Sequence, residues 1–173
     1  MKQLVTNILF ATDLSENSGH AMRHAASIAQ ATGAEIHVLH VNAPLSEDAK
    51  ITMEIFIMNE ETRKTAIERR HEMVRKVLAE RQAKFWAQFD GDDGKIRDQV
   101  TSVEVTDGHP AEVILRRSVE LGCDLIVLGA HDHGFSHTFL GTVAKRVLRR
   151  SRIPTLIVPN PDEVYNFHGP LRW

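Results

Sequence analysis

The sequence is poor in cysteine, has no strong excess of charge and contains no long apolar run. Cys123 is the single cysteine among 173 residues, so no disulfide can form within the chain, which suits a reducing compartment. The formal net charge is −2, without the basic excess of general nucleic-acid binders. No apolar run reaches the roughly 18 residues of a membrane helix, and residues 1–11 lack a signal-peptide pattern. We therefore expect a cytoplasmic protein that contacts neither nucleic acid nor membrane.

What the sequence does contain is a regular alternation of apolar strand-like runs and amphipathic helix-like runs. The order predicts a doubly wound, five-stranded parallel α/β sheet with helices on both faces, in a domain of residues 1–159 followed by an irregular tail at 160–173. The predicted strands are Asn7–Thr12, Ala34–Val41, Val100–Thr106, Asp124–Leu128 and Thr155–Val158, and the predicted helices are Ser18–Thr32, Ile51–Phe89, Ala111–Leu121 and Thr142–Arg150.

The long predicted helix leaves one alternative open. Met73, Val77, Phe85 and Phe89 fall roughly on one stripe, as expected for a face that packs on the sheet. Near its start, residues 55–58 read Ile-Phe-Ile-Met, which is unusually apolar for a surface helix. This segment either packs on the chain's own core or contacts a second subunit.

Two other features favour structural roles. Cys123 opens an apolar run, which is typical of a buried structural thiol rather than a reactive one. Asp90–Gly94 resembles the start of a calcium loop, but the glutamate that should close such a loop is missing. We interpret this segment as a solvated turn.

Polar or glycine-containing loops follow three of the predicted strands. They are Thr12-Asp13, Val41-Asn42 and the segment that starts at Gly129. Since the carboxyl ends of parallel strands lie at one edge, where doubly wound sheets bind ligands, these loops are expected to converge on one site.

The segment from Gly129 to Thr142 has the requirements of an anion site. It leaves an apolar strand at a glycine and enters a helix through Gly141 and Thr142. Glycines allow close approach of the backbone to a phosphate, and the first amides of a helix attract negative charge. The alternative is that the glycines only form the turn and Thr142 only caps the helix.

Several spaced motifs connect the chain with one family. They are residues 8–18 (Ile-Leu-Phe-Ala-Thr-Asp-Leu-Ser-Glu-Asn-Ser), 108–114 (Gly-His-Pro-Ala-Glu-Val-Ile), 124–131 (Asp-Leu-Ile-Val-Leu-Gly-Ala-His), 140–148 (Leu-Gly-Thr-Val-Ala-Lys-Arg-Val-Leu) and 153–159 (Ile-Pro-Thr-Leu-Ile-Val-Pro). The chain from Ile8 to Val158 resembles the universal stress protein family. The resemblance implies a Rossmann-like, adenine nucleotide alpha hydrolase-like fold and a homodimer paired through the last strand at Ile157 and Val158.

The resemblance also implies roles for individual residues, because one branch of the family binds ATP. Thr12 and Asp13 would lie near the adenosine part, with Val41 on the adenine, and Asp13 is alternatively a helix cap. Gly129, Gly141, Thr142 and Val143 would hold the phosphates with backbone groups, and His131 and Asp132 would belong to the same cofactor site. Asp132 replaces the second glycine of the family's ATP motif, and the loop is one residue short. Mg²⁺ bound with ATP would bridge Asp132 and the phosphates.

The same loop is rich in histidine, since His131, His133 and His137 lie within seven residues. Imidazole groups next to a carboxylate suit Zn²⁺, and His109 or His40 could join such a site. The alternative is a polar loop whose histidines face solvent or phosphate.

Three functions follow from these expectations. The first is an ATP-binding stress-response sensor or regulator with little catalysis, and the second is a slow ATPase that uses Asp132 or His133. The third is a nucleotide-free dimeric scaffold, which the replaced glycine favours. The aromatic residues of the tail, Tyr165, Phe167 and Trp173, predict that it folds back onto the domain or a partner subunit.

Overall fold

The computed structural model describes residues 4–15, 18–57, 59–88, 94–130 and 140–159 of the chain. Strands and helices alternate along most of it. The strands are β1 (Asn7–Thr12), β2 (Glu35–Asn42), β3 (Val100–Asp107), β4 (Leu125–Gly129) and β5 (Thr155–Val158), and the helices are α1 (Ser18–Thr32), α2 (Glu47–Phe56), α3 (Glu60–Trp86), α4 (Gly94–Asp98), α5 (Pro110–Glu120) and α6 (Thr142–Arg150).

All five strands are parallel and lie in the order β3-β2-β1-β4-β5, which confirms the predicted doubly wound sheet. The chain moves outward from β1 to β2 and β3, then returns to place β4 on the other side of β1. The central strands are buried on both faces, and Ile8 and Leu9 of β1 have no exposed surface. This explains why they are apolar at successive positions.

Helices cover both faces of the sheet. On one face, Phe10 and Val38 pack with α1 and with Leu78 and Phe85 of α3. On the other, Leu9 and Leu39 pack with α5 and α6. The buried positions of α1 are mainly alanines, so its backbone lies close to the sheet: Ala21, Ala25, Ala26 and Ala29.

The single helix predicted over Ile51–Phe89 is wrong, because the structure has two helices there. Helix α2 begins earlier, at Glu47, after Ser46 caps it by accepting a hydrogen bond from the Ala49 amide. Helix α3 starts at Glu60, and its N-cap Asn59 accepts hydrogen bonds from the Glu61 and Thr62 amides at 2.8 and 3.4 Å. An asparagine followed by two glutamates is a helix start signal. The apolar residues 55–58 before it conceal that signal.

The packing face of α3 agrees with the prediction at Phe85 and differs from it at Met73. Phe85 and Leu78 are the buried residues of this helix, whereas Met73 is 68% exposed. Val77 is partly buried. Phe89 lies outside the described residues. Helix α2 has no buried residue, and Ile55 and Phe56 are 63% and 80% exposed. Packing of residues 55–56 on the chain's own core is therefore wrong, and a contact with a second subunit remains a prediction.

The short helix α4 was not predicted from the sequence. It starts at Gly94, the last residue of the predicted turn, and its Ile96 is buried in the core. The Gln99 side chain then donates hydrogen bonds to the carbonyls of Ala29 and Ala34, both at 2.9 Å. These contacts attach the start of β3 to the end of α1.

At the amino edge of the sheet, Asp124 joins the starts of β1 and β4. Its carboxylate accepts hydrogen bonds from the Thr6 amide and hydroxyl and from the Asn7 amide, at 2.7–3.2 Å. Partial burial raises the pKa of Asp124, but these hydrogen bonds outweigh it and leave the pKa below its ordinary value.

Cys123 is buried next to Asp124, as predicted for a structural thiol. Burial, followed by the charge of Asp124, raises the pKa of the thiol to about 11. A thiol with this pKa is almost fully protonated at neutral pH, so it is a poor nucleophile. Within the described ranges, no helix has the length and apolar character needed to cross a membrane.

Candidate functional site

The carboxyl ends of four strands surround a cavity of about 670 Å³, which we call the edge cavity. The strand order reverses between β1 and β4: β2 and β3 lie on one side of β1, and β4 and β5 lie on the other. The cavity lies at this reversal, which is where doubly wound sheets bind ligands. The first turn of α6 also lines the cavity, whose volume is in the usual range for a small-molecule site. The predicted convergence of the three loops is confirmed for those of their residues that the structure describes.

The turn after β1 is held by its own side chains. The Thr12 hydroxyl accepts a hydrogen bond from the Leu14 amide at 3.1 Å, and Asp13 Oδ1 accepts one from the Ser15 amide at 2.9 Å. Leu14 has a φ of 62°, a conformation that is uncommon for a bulky residue. Helix α1 begins only at Ser18, so Asp13 fixes this turn and does not cap the helix. The strained turn presents Thr12 and Asp13 to the edge cavity.

The end of β2 supplies the apolar wall of the cavity and a buried histidine. Val41 is almost fully buried and lines the cavity, as the sequence predicts. His40 Nδ1 lies 2.8 Å from the Thr12 carbonyl oxygen. Because a carbonyl oxygen only accepts, Nδ1 carries the proton and donates it. His40 therefore reaches the cavity, where its ring links the ends of β1 and β2.

The first turn of α6 forms the part of the cavity suited to an anion. Gly141 is the N-cap, with φ −63° and ψ 161°, and it offers no side-chain acceptor to the first amides of the helix. Thr142, Val143 and Ala144 line the cavity next to it. The positive end of the helix dipole and these amides favour negative charge. Thr142 is the first helical residue rather than the cap.

Gly129, at the end of β4, also lines the cavity. A Cβ built on Gly129 would meet no described atom within 4 Å, so a side chain there would project into open space. Its φ does not require glycine, since no positive value occurs there. The absence of a side chain therefore keeps the cavity open rather than permitting an unusual backbone.

The sequence interpretation missed a cation in the edge cavity. Arg70 of α3 lines it and donates a hydrogen bond from Nη2 to the Ala43 carbonyl at 3.0 Å. Among the described lining residues, Arg70 is the one arginine or lysine and Asp13 the one carboxylate. No local motif identifies Arg70, because it is one of many basic residues on α3. Its position depends on how α3 lies beside the loop after β2.

Most of the predicted site residues meet at this cavity. Seven of them line it: Thr12, Asp13, Val41, Gly129, Gly141, Thr142 and Val143. His131 and Asp132 lie outside the described residues, as do His133 and His137 of the predicted metal site. Within the part of the chain that the structure describes, no cluster of three metal-binding side chains occurs. His109 stands at the N-cap of α5 and does not line the cavity.

Comparisons with known proteins agree with this architecture. The sequence profile of the universal stress protein family matches residues 5–159. A universal stress protein of Thermus aquaticus is 30% identical over 152 residues, which cover 87% of this chain and 96% of that protein.

Two solved structures share the fold at low sequence identity. A universal stress protein family member from Burkholderia pseudomallei has a TM-score of 0.57 at 24% identity, covering 92% of this chain and 99% of its own. A universal stress protein crystallised in complex with cAMP has a TM-score of 0.58 at 21% identity, covering 90% and 98%. The matched profile spans every strand of the sheet, and the chain belongs to the universal stress protein family.

Proposed function

We propose that this protein binds ATP together with Mg²⁺ in the edge cavity and acts as a nucleotide-dependent regulator of a stress response, with little catalysis. The observation that carries the proposal is the meeting of the seven predicted residues in one cavity at the crevice of the sheet. A structural relative that binds cAMP supports a nucleotide as the occupant.

The lining matches the parts of a nucleotide. Val41 offers an apolar surface to the adenine, and Thr12 and Asp13 contact the adenosine part. The backbone at Gly129 and at Gly141–Val143 holds the phosphates next to the dipole of α6. The Thr142 hydroxyl or a nearby carboxylate would help to hold Mg²⁺, which would offset the charge of the phosphates when bound with ATP.

The described part of the cavity favours binding over hydrolysis. Phosphoryl transfer to water needs a group that positions or deprotonates the nucleophile. Asp13 is the one carboxylate among the described lining residues, and its Oδ1 is already engaged by the Ser15 amide. The slow ATPase remains the second candidate, with Asp132 or His133 as the catalytic group.

The proposed homodimer uses the outer edge of β5. This strand ends the sheet, and among the described residues only β4 pairs with it. Val158 is buried in its own subunit and lines the edge cavity, so it would contribute backbone groups to the dimer. Ile157 is partly buried and packs against the apolar cluster that contains Leu9 and Leu39, on the other face of the sheet. Pairing of two β5 strands would satisfy otherwise unpaired edge groups.

Titration calorimetry of ATP with metal-stripped protein, with and without Mg²⁺, tests the proposal. We expect Mg²⁺-dependent binding in the micromolar range that is lost in Gly141→Val. Gly141 has backbone angles that valine tolerates, so this variant adds a side chain next to the proposed phosphate site without requiring an unfavourable backbone conformation. No binding up to millimolar ATP in the wild type would support the nucleotide-free scaffold, which Asp132 at the second motif glycine favours.

Phosphate release separates the regulator from the ATPase. The regulator predicts release at background level. Release above background that is removed by Asp132→Ala would make the protein an enzyme and overturn this part of the proposal.

A further inference from the structure

A second cavity, of about 410 Å³, lies on the other face of the sheet between α1 and α3. We call it the helix cavity. It adjoins the edge cavity at Thr12, Ser15 and Ser18, which line both. Its remaining lining comes from side chains of β1, β2, α1 and α3 and from residues after α3: Phe10, Gly19, His20, Met22, Arg23, Val38, Leu78, Arg81, Gln82, Lys84, Phe85, Trp86 and Gln88.

The inner part of the helix cavity is apolar. Phe10 and Val38 of the sheet, with Leu78 and Phe85 of α3, belong to one buried cluster, and Trp86 packs edge-on against Phe85. Such a surface suits an aliphatic or aromatic group, since removing apolar area from water is favourable. The side chains named here carry no charge.

The charged residues that the structure describes on the rim of the helix cavity are all basic. They are Arg23, Arg81 and Lys84. Arg81 has an interaction of its own, and Arg23 donates a hydrogen bond to Gln88, whose side chain is neutral. Arg23 and Lys84 therefore favour an anion at this rim, even though the whole chain has a net charge of −2.

Gln82 supplies a second, independent observation. Its Nε2 is buried against solvent and has no hydrogen-bond partner among the described residues. A buried amide without a partner is rare in native proteins. Other atoms of Gln82 line the helix cavity, so rotation of this side chain would bring Nε2 to an acceptor oxygen on a bound molecule. Gln82 and the cations line the same cavity.

We propose that the helix cavity binds a small organic carboxylate with an apolar body. The apolar body lies against Phe10, Leu78 and Phe85, and the basic rim balances the charge of the carboxylate. The Gln82 side chain rotates to donate a hydrogen bond from Nε2 to the carboxylate. The first turn of α1, which lines the cavity at Ser18 and Gly19, adds the favourable end of a helix dipole. Among the described lining residues, Thr12, Ser15 and Ser18 are shared with the proposed nucleotide site. The contacts with the carboxylate ligand lie outside those three residues, so its binding does not require ATP.

Decanoate is a suitable probe, and Trp86 is a built-in reporter. The sequence has two tryptophans, so Trp173→Phe leaves Trp86 as the only one. Titration of this variant with decanoate should change its fluorescence in a saturable manner. Decanol and decyltrimethylammonium, which share the chain but not the negative charge, should bind at least tenfold more weakly. Equal binding of decanol, or no saturable response to decanoate, would overturn the proposal.

Variants of Gln82 test the role of the unpaired donor. Gln82→Met keeps the length of the side chain but removes the donor, so decanoate affinity should fall at least fivefold while the thermal midpoint stays equal or rises. Gln82→Glu, which places a negative charge next to the ligand's carboxylate, should lower affinity further. Unchanged decanoate affinity in a folded Gln82→Met protein would contradict the proposed contact.

A matched pair of lysines tests the charge of the rim. Lys84→Gln removes a cation from the helix cavity, whereas Lys76→Gln removes one from an exposed position of α3 outside it. We expect weaker decanoate binding only in Lys84→Gln, with a smaller loss at high salt. The same loss in both variants would show a general charge effect and would contradict the assigned site.

Discussion

The edge cavity and the helix cavity share the turn after β1, but they are constructed from different parts of the chain. Strand ends and the first turn of α6 form the edge cavity, with glycines that bring the backbone to its surface. Side chains of two helices form most of the helix cavity, with an apolar interior and a basic rim. The first depends on sheet topology, and the second depends on how α3 packs. Substitutions that alter the packing of α3 should therefore affect the helix cavity, and substitutions that add charge to the first turn of α6 should affect the edge cavity.

The largest expected effect is on α3. Leu78 is almost fully buried and lines the helix cavity, so Leu78→Ala should lower the free energy of unfolding by about 2–4 kcal/mol. The folded variant should lose decanoate binding and keep ATP binding. Urea unfolding and the two titrations measure these quantities.

Met73→Ala is the control for this change. Met73 lies on the same helix but is exposed, so its truncation should change stability by less than about 0.5 kcal/mol. Comparable destabilisation by Met73→Ala and Leu78→Ala would show that α3 packs through a different face.

A negative charge in the first turn of α6 should affect the edge cavity alone. Val143→Glu places a carboxylate next to the proposed phosphate site, where it competes for the helix amides and repels the ligand. ATP affinity should fall at least tenfold, while decanoate affinity stays unchanged. Calorimetry with both ligands measures the difference.

Leu148→Glu introduces the same charge at a similarly exposed position of α6, outside the cavity. It should leave ATP affinity within about twofold of the wild type, once its stability has been measured separately. A tenfold loss in this variant as well would remove the support for phosphate binding at the start of α6.

A change at the opposite edge of the sheet should lower stability without affecting either cavity. Asp124→Asn replaces the charged acceptor of the Thr6 and Asn7 hydrogen bonds, at an expected cost of about 1 kcal/mol. Because the folded pKa of Asp124 lies below its unfolded value, its stabilisation is present at neutral pH and is lost as pH falls below about 4.

Urea unfolding of the wild type and Asp124→Asn between pH 3 and 7 tests the direction of this pH dependence. The difference in stability between the two proteins should shrink toward low pH. A difference that grows on acidification would contradict the lowered pKa.

The smallest effect concerns Cys123. Its folded pKa of about 11 lies above the unfolded value, so its contribution to stability is complete below about pH 8.5 and is lost as pH rises toward 11. Native protein at pH 8 should react with iodoacetamide far more slowly than urea-unfolded protein. Between pH 8.5 and 11, the free energy of unfolding should therefore fall less in Cys123→Ala than in the wild type. Rapid alkylation of the native protein would show that the thiol is accessible.

Most of the fold and of the edge cavity could be predicted because the evidence for both is local. The apolar runs of β1 and β4 and the glycines after α1 and α5 mark their elements directly. Alternation of strands and helices then fixes a parallel sheet, and polar residues after strand ends must meet at its carboxyl edge. Thr12, Val41 and Gly129 were identified in this way.

Errors were concentrated between β2 and β3, where the local evidence is weaker. Asn59 starts α3, but the apolar residues 55–58 before it favour a continuous helix. Met73 and Phe85 have similar hydropathy, and only docking of α3 on the sheet exposes one and buries the other. Arg70 reaches the edge cavity for the same reason.

The sequence by itself determined the family, the order of strands and helices, and the backbone part of the edge cavity, because each depends on short motifs and on the chain order of the strands. Only the tertiary structure decided which face of α3 is buried, that His40 donates to the Thr12 carbonyl, and that Gln82 lies in a basic, partly apolar cavity. The physical reason is that side chains on a helix acquire their neighbours from docking, which involves residues distant in the chain and leaves no periodic mark in the sequence.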